Sequence, residues 1–410
     1  MRTPSAEVKP APRQSAWQEL EFGMFCHFGP NTFLDQEWGT GAEDPAVVNP
    51  TEFDPHHWAQ AAVSAGMRYL VFTAKHHDGF CTWPTDTTDH AISSSPWHAG
   101  KGDMVEMVAA ACRAHGLALG LYLSPWDRHE PCYSDAAAYD DFYIRQWREL
   151  LTRYGDVACV WLDGAGSEGH VYDWTRIIGA IREIQPETCI FSIGEPDYRW
   201  VGNEDGLAPD PCWCVVDAPA DLRHDFLTPA YRESFPHWCP AECDARIRAN
   251  WFWNTHDLPT LKSTRRLVDI YRCSVGRGAN LLLNVGPDTR GLLPEPDVER
   301  LGEFGRELER CFGTPLGEVT GSAGSLQVDF EQPTAVNQVI LSEDISRGQR
   351  IREYRVRALL DPKWEGVAVG SAIGHKKIDT FPTVTARAVA VDVLACDGEP
   401  LLTSLGAYRV

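Results

Sequence analysis

The sequence predicts an α/β chain: a (β/α)8-type barrel followed by a C-terminal β-sandwich. Three observations carry this reading. Between Glu21 and about Cys311, short apolar runs alternate with amphipathic stretches, one strand–helix unit every roughly 30 to 45 residues. That alternation is the mark of right-handed βαβ units around a parallel sheet. About eight such strands in roughly 300 residues favour a closed barrel over an open doubly wound sheet. After Gly317 helical periodicity stops, and short strand candidates separated by Gly, Pro and Asp take over. A chain of 410 residues exceeds one ordinary core. The expected division is a flexible segment 1–16, a barrel 17–315 and a sandwich 316–410.

The barrel elements follow in order. Phe22–Phe28 reads as a strand ending at Gly29-Pro30. Trp58–Met67 has apolar residues at helical spacing, and Tyr69–Ala74 is the next strand. Met104–His115 is a helix closed by Gly116, before the strand Ala118–Leu123. Tyr139–Tyr154 is a long amphipathic helix ending at Gly155, followed by the strand Val157–Leu162. The helix Trp174–Ile184 stops at Pro186, and Cys189–Ile193 is a strand. From Pro196 to Asn250 the alternation is irregular. It resumes with Trp251–Trp253, the helix Leu261–Val275, the strand Leu281–Val285 and the helix Val298–Phe312. Beyond the boundary at Gly313–Gly317, strands are expected at Ser325–Phe330, Val336–Leu341, Arg352–Leu359, Gly366–Val369 and Ala386–Leu394.

Composition narrows the function. A net charge of -21 without a long basic block argues against nucleic acid or an anionic membrane surface as partner. No apolar run approaches the ~18 residues of a spanning helix. The polar, Pro-rich start lacks a secretory h-region, so the expected compartment is the cytoplasm unless a leader lies outside this sequence. Thirteen cysteines is an odd number, and Cys112, Cys159, Cys189 and Cys273 sit in apolar stretches, which does not resemble a disulfide framework. The absence of GxGxxG after the first strand and of GxxxxGK[ST] removes the main support for nucleotide binding. Fifteen Trp and fourteen His suit a polar, uncharged ligand such as a sugar.

Residues just past the C-terminal ends of barrel strands line the active site in this architecture. Those ends read Phe25-Cys26-His27-Phe28-Gly29, Lys75-His76-His77-Asp78-Gly79-Phe80, Tyr122-Leu123-Ser124-Pro125-Trp126-Asp127 and Trp161-Leu162-Asp163-Gly164. Further on come Arg199-Trp200-Val201-Gly202-Asn203-Glu204, then Glu242, then Trp251-Phe252-Trp253.

In order, FGMFCHFG, AKHHDGFCTWPT, LGLYLSPWD and VWLDGA resemble glycoside hydrolase family 29, the α-L-fucosidases, over the whole barrel. RWVGNEDG and PAECD…NWFWN, with the C-terminal VILSEDISRGQRIREYRV…IGHKKIDTFPTVTA, resemble the subfamily preferring 1,3- and 1,4-linked fucose. The resemblance implies a retaining mechanism without a cofactor, and a fucosylated oligosaccharide substrate. Its nucleophile would be Asp163, which two small residues, Gly164 and Ala165, leave free to reach an anomeric carbon. The acid/base would be Glu204, with Glu242 and Glu195 as competitors. A retaining pair stands roughly 5 to 5.5 Å apart, one acid ionised and the other protonated. His27, His76, His77 and Tyr122 match positions that hold the sugar hydroxyls, and Trp161 lines the same pocket. Arg199 is expected to hydrogen-bond the sugar or the nucleophile, and Trp251 or Trp253 to stack near the C5 methyl. Trp38 and Trp83 are candidates for walls, and Glu242 for a further substrate contact. A monomer or small homo-oligomer is expected.

Two other readings stand beside this one. A metal-dependent barrel hydrolase would use His27 and the His76-His77 pair, yet adjacent histidines on a strand point to opposite faces and no HxH pair is present. Cys212 with Cys214 and Cys239 with Cys243 hint at a zinc knuckle but lack CxxC spacing. A non-catalytic sugar-binding protein would leave the carboxylate pair unexplained.

Overall fold

The computed structural model describes residues 6–218 and 235–410. Ten of its strands belong to the first part of the chain: β1 (Phe22–Cys26), β2 (Tyr69–Lys75), β3 (Ala118–Leu123), β4 (Cys159–Trp161), β5 (Cys189–Ile190), β6 (Arg199–Trp200), β7 (Val215–Ala218), β8 (Phe235–Trp238), β9 (Ala241–Arg246) and β10 (Asn280–Asn284). Eight of them form one sheet in the order β5-β4-β3-β2-β1-β10-β9-β6, with every pair parallel. A parallel bridge between Phe191 and Tyr198, just past β5 and just before β6, joins the two edges and closes the barrel. β7 and β8 form a separate antiparallel hairpin.

The helices around the sheet are α1 (Pro12–Leu20), α2 (Pro30–Leu34), α3 (Pro55–Ser64), α4 (Met104–His115), α5 (Ala136–Arg153), α6 (Trp174–Ile184), α7 (Thr264–Cys273) and α8 (Glu295–Leu308). Their starts are encoded locally. Asp54, Asp103, Asp135, Asp173 and Ser263 each accept a backbone N–H two or three residues on, satisfying a donor that the first turn would orphan. Gly116 ends α4 in the left-handed conformation at φ 69°, where a side chain would be strained. Strands β1 and β2 are buried on both faces, as expected for a sheet covered by helices. One face packs against the helices, and the other fills the lumen with Phe25, Tyr69, Val71, Tyr122, Trp161 and Leu282 among others.

Helix α1 begins inside the segment expected to be flexible. Gln14 is buried and donates to the carbonyls of Asp197 and Trp238, and Trp17 stacks on Tyr198 at 4.0 Å. The buried Trp17 belongs to the lumen cluster, so α1 stoppers the barrel at the end where its strands begin.

Strands β11 (Gly317–Ala323), β12 (Ser325–Glu343), β13 (Ile351–Leu360), β14 (Lys363–Gly370), β15 (Lys377–Cys396) and β16 (Leu402–Tyr408) form the C-terminal antiparallel unit, in the order β11-β16-β12-β15-β13-β14. The long β12 and β15 lose register between Asp329 and Thr334. Such irregularities bend a strand pair, and the β-sandwich encloses a core that includes Val336, Tyr354, Val356, Val389 and Val391. It clasps the barrel at the same end as α1. Glu21, immediately before β1, accepts hydrogen bonds from His375 at 2.9 Å and Lys376 at 2.6 Å. Cys214, Val215 and Trp238 of the hairpin region pack against Ile345 of the sandwich.

Candidate active site

The opposite end of the barrel holds a cavity lined by His27, Trp38, His76, His77, Trp161, Asp163, Glu204 and Trp251, eight of the residues singled out in the sequence. Phe25, Ala165, Phe191, Trp200 and Asp244 complete its lining.

Asp163 lies two residues beyond β4. One of its oxygens accepts from the Ala165 N–H at 2.9 Å, and the other from the Tyr122 hydroxyl at 3.0 Å. Burial pushes the Tyr122 phenol well above its ordinary range, and the Asp163 charge adds to this, so the hydroxyl remains a donor. Two donors on a quarter-exposed carboxylate fix its direction and leave it open to the cavity. Tyr122 is wholly buried and supports Asp163 from beneath.

His76 and His77 both reach the cavity, with ring centres 4.1 Å apart. The expectation of opposite faces fails because β2 ends at Lys75 and the pair sits at the turn beyond it. The Ser124 hydroxyl donates to the Trp126 carbonyl, so it accepts from His77 Nδ1–H at 2.7 Å. That leaves His77 Nε2, 3.6 Å from Asp163, as an acceptor for an incoming hydroxyl. His27 is set in the same way. The Asn284 amide donates to the Trp251 carbonyl, which turns its oxygen toward His27 Nδ1 at 2.7 Å. Burial holds the His27 imidazolium down to about 3, against the raising effects of Asn284 and Asp163. Burial also lowers His76 and His77. Three neutral imidazoles, two of them with assigned donors and acceptors, suit uncharged hydroxyls.

Glu204 is 45% exposed at the mouth and ion-paired to Arg246 at 3.3 Å. Its loop is pinned by an antiparallel bridge between Asp205 and Ala245 and by Asn203, which accepts from the Asp205 N–H and donates to the Leu207 carbonyl. The Arg246 guanidinium lies 5.2 Å from the Trp251 ring centre. Glu37 accepts from the Trp251 N–H at 3.0 Å, and burial raises its carboxyl to about 7 against the lowering pull of that bond and of Arg246.

Five of the singled-out residues, besides Tyr122 beneath Asp163, lie outside the cavity lining. The Arg199 side chain donates to the carbonyls of Cys239 and Trp213 and lies outside the cavity, because alternation along β6 gives the inward place to Trp200. Glu242 is wholly buried in the lumen, takes hydrogen bonds from Trp161 Nε1 at 2.8 Å and Tyr69 at 2.9 Å, and is not among the lining residues. Trp253 and Glu195 are not among the lining residues. Trp83 is fully buried, its indole bonded to Glu149, and serves packing. Among the described residues no group of three His, Cys, Asp or Glu side chains is placed to hold a metal ion, and Cys212, Cys214, Cys239 and Cys243 are free thiols. No helix among them is long and apolar enough to cross a membrane.

Trp200, Asp244, Arg246 and Glu37 were missed. The signal for two of them was present: Glu242, Asp244 and Arg246 fall at every second position of AECDAR, one face of a strand.

Comparisons with known proteins identify the family. The α-L-fucosidase family model matches residues 2–311. Alpha-L-fucosidase 1 of Arabidopsis thaliana is 37% identical over 97% of this chain and 87% of its own length. A glycoside hydrolase 29 family member from an unknown rumen bacterium superposes with a TM-score of 0.90 at 34% identity, covering 99% of this chain and 78% of that one. A Ruminococcus gnavus GH29 fucosidase, solved in complex with fucose, gives 0.87 at 29% identity over 100% and 96% of the two chains. Barrel, cavity and relatives together place the chain in the α-L-fucosidase family, glycoside hydrolase family 29.

Proposed function

We propose that the enzyme releases α-L-fucose by double displacement with retention, from 1,3- or 1,4-linked branches of oligosaccharides. The observation that carries the mechanism is that, of the three carboxyl groups lining the cavity, Asp163 and Glu204 have unlike surroundings. Asp163 is held by two donors among neutral imidazoles, and Glu204 stands at the mouth beside a cation. In this reading Asp163 attacks C1 while Glu204 protonates the departing oxygen; water, deprotonated by Glu204, then resolves the ester. The Tyr122 hydroxyl and the Ala165 N–H keep one Asp163 oxygen pair aimed at a single point, so attack requires no reorientation. His27, His76 and His77 take the fucose hydroxyls, and Trp251 with Phe25 offers an apolar wall.

The linkage preference rests on the motifs around Glu204 and in the sandwich. Among the described residues, Trp200, Glu204 and Asp244 bring the Pro196–Asn250 region to the cavity, and in this reading Trp38 and Trp200 at the mouth grip a neighbouring sugar. A Lewis-type trisaccharide should be cleaved faster than a 1,2-linked fucosyl-galactose; the reverse order would remove the linkage reading and leave the chemistry.

Azide tests the roles. Glu204→Ala should lose sugar leaving groups while an activated aryl fucoside still reacts, and azide should restore turnover by giving β-fucosyl azide. Rescue of Glu242→Ala in place of Glu204→Ala would move the acid/base to Glu242.

A further inference from the structure

The inner face of β9 carries three ionisable groups at successive depths. Glu242 is sealed beneath Trp161, Asp244 lines the cavity above it, and Arg246 stands at the mouth paired to Glu204. Asp244 is 3% exposed, and one of its oxygens accepts from Trp200 Nε1 at 2.7 Å. The ionisable groups around it are the carboxyls of Glu204, from the loop after β6, and Glu242, from its own strand, with Arg246 next on the same face of β9 turned to Glu204. Burial first, and then these two neighbours, push the Asp244 carboxyl well above the usual carboxylate range, and the Trp200 bond only partly opposes them. Glu204 has the contrary setting, half-exposed against a guanidinium. An acid that must protonate a leaving group is thus ion-paired in the free enzyme, while a second carboxyl lining the same cavity sits buried with no cation of its own among these contacts.

Resting on the assignment of Glu204 as acid/base, we propose that Asp244 and Glu204 act as a one-proton pair in which Asp244 stores the proton that Glu204 delivers. As Asp163 bonds to C1 and the C1–O bond breaks, the electron pair goes to the leaving oxygen. That oxygen takes a proton from Glu204, which is resupplied by Asp244. The pair then carries two negative charges; Asp163 has lost its own charge to the ester, so the net charge of the site is unchanged, and Arg246 offsets the second carboxylate. In hydrolysis the attacking water gives its proton to Glu204, from which it returns to Asp244. Two neighbouring carboxyls sharing one proton is an established way of separating acid from base. Because it acts through Glu204, Asp244 is a positioning and proton-holding residue.

Asp244→Asn keeps an acceptor for Trp200 but carries no exchangeable acid proton. It should lower kcat on a fucosylated oligosaccharide by about a hundredfold, the size of a general-acid contribution, with KM nearly unchanged and an activated aryl fucoside much less affected. Adding Arg246→Gln should restore part of the oligosaccharide turnover, since Glu204 freed from its cation can hold the proton itself. Asp244→Asn with wild-type turnover on the oligosaccharide would overturn the proposal. So would equal loss on both substrates without recovery in the double variant, the pattern of a merely structural acceptor. The azide experiment on Glu204→Ala stands apart: if it fails, the acid/base assignment fails whatever Asp244→Asn does.

Discussion

The closed end of the barrel and the lumen beneath its cavity treat buried carboxyl groups in opposite ways. At the closed end, burial alone would raise Glu21, but the hydrogen bond from His375 and the cation of Lys376 outweigh it, and the carboxyl is held down to about 2. In the lumen beneath the cavity, Glu242 receives only the neutral donors Trp161 and Tyr69, and burial carries it up to about 7. Burial is similar at the two positions and the shift has opposite sign. What decides it is whether the partner is a cation, and the fold places cations where the sandwich must be held and withholds them from the floor of the site. Strain of this kind is expected where chemistry needs protons to be mobile near neutral pH.

The sharpest break in this contrast is at Asp163, the proposed nucleophile. Asp163→Asn keeps the size of the side chain and the fold but removes the attacking charge, so kcat/KM on any fucoside should fall on the order of 10⁴-fold or more. A purified, folded variant retaining a tenth of wild-type activity contradicts the assignment.

Next in size is the pH dependence of stability. Glu21 has a folded value below its unfolded one, so its contribution is present above the unfolded value near 4.5 and is lost as pH falls toward 2. The shift amounts to about 3 kcal/mol at most. Glu242 has a folded value above its unfolded one, so its contribution is present at acid pH and is lost as pH rises from 4.5 through about 7. Glu21→Gln should therefore lower Tm at pH 7 and matter little near pH 2. Glu242→Gln should raise Tm at pH 8 relative to wild type and be neutral or slightly destabilising at pH 4. Thermal denaturation across that range checks both; parallel curves for the two variants would remove the contrast.

The smallest expected effect falls on a residue first read as a sugar ligand. Arg199→Ala should cost about 1 to 3 kcal/mol of stability by orphaning the carbonyls of Cys239 and Trp213, and should leave KM and kcat unchanged. A rise in KM without loss of stability would return Arg199 to the site.

The same contrast explains what was legible in the sequence. β1 to β4 are read readily because both faces are buried and their side chains are apolar, and the catalytic motifs sit at their ends. β9 was hidden because its lumen-facing positions are Glu242, Asp244 and Arg246, so a fully structural strand has the composition of a loop. β6 is two residues long and has no periodicity to detect. Trp251–Trp253 has a strand's composition, yet it is the turn that carries Trp251 to the cavity, anchored through its N–H on Glu37 and its carbonyl on Asn284. Strand β11 escaped because its small and polar, largely exposed residues read as linker, and β16, although buried, because Thr403, Ser404 and Gly406 interrupt its apolar residues. Long-range hydrogen bonds, such as Tyr122 to Asp163 or Trp200 to Asp244, leave no local trace.

The retaining double displacement is tested most directly by the anomer released first. Proton NMR should follow the wild-type enzyme on an α-fucoside within the first turnovers, before mutarotation scrambles the product. The expected signal is α-L-fucose appearing first, with the β anomer growing in only at the rate of free mutarotation. Initial release of β-L-fucose would mean direct attack by water, and Asp163 could not be the nucleophile.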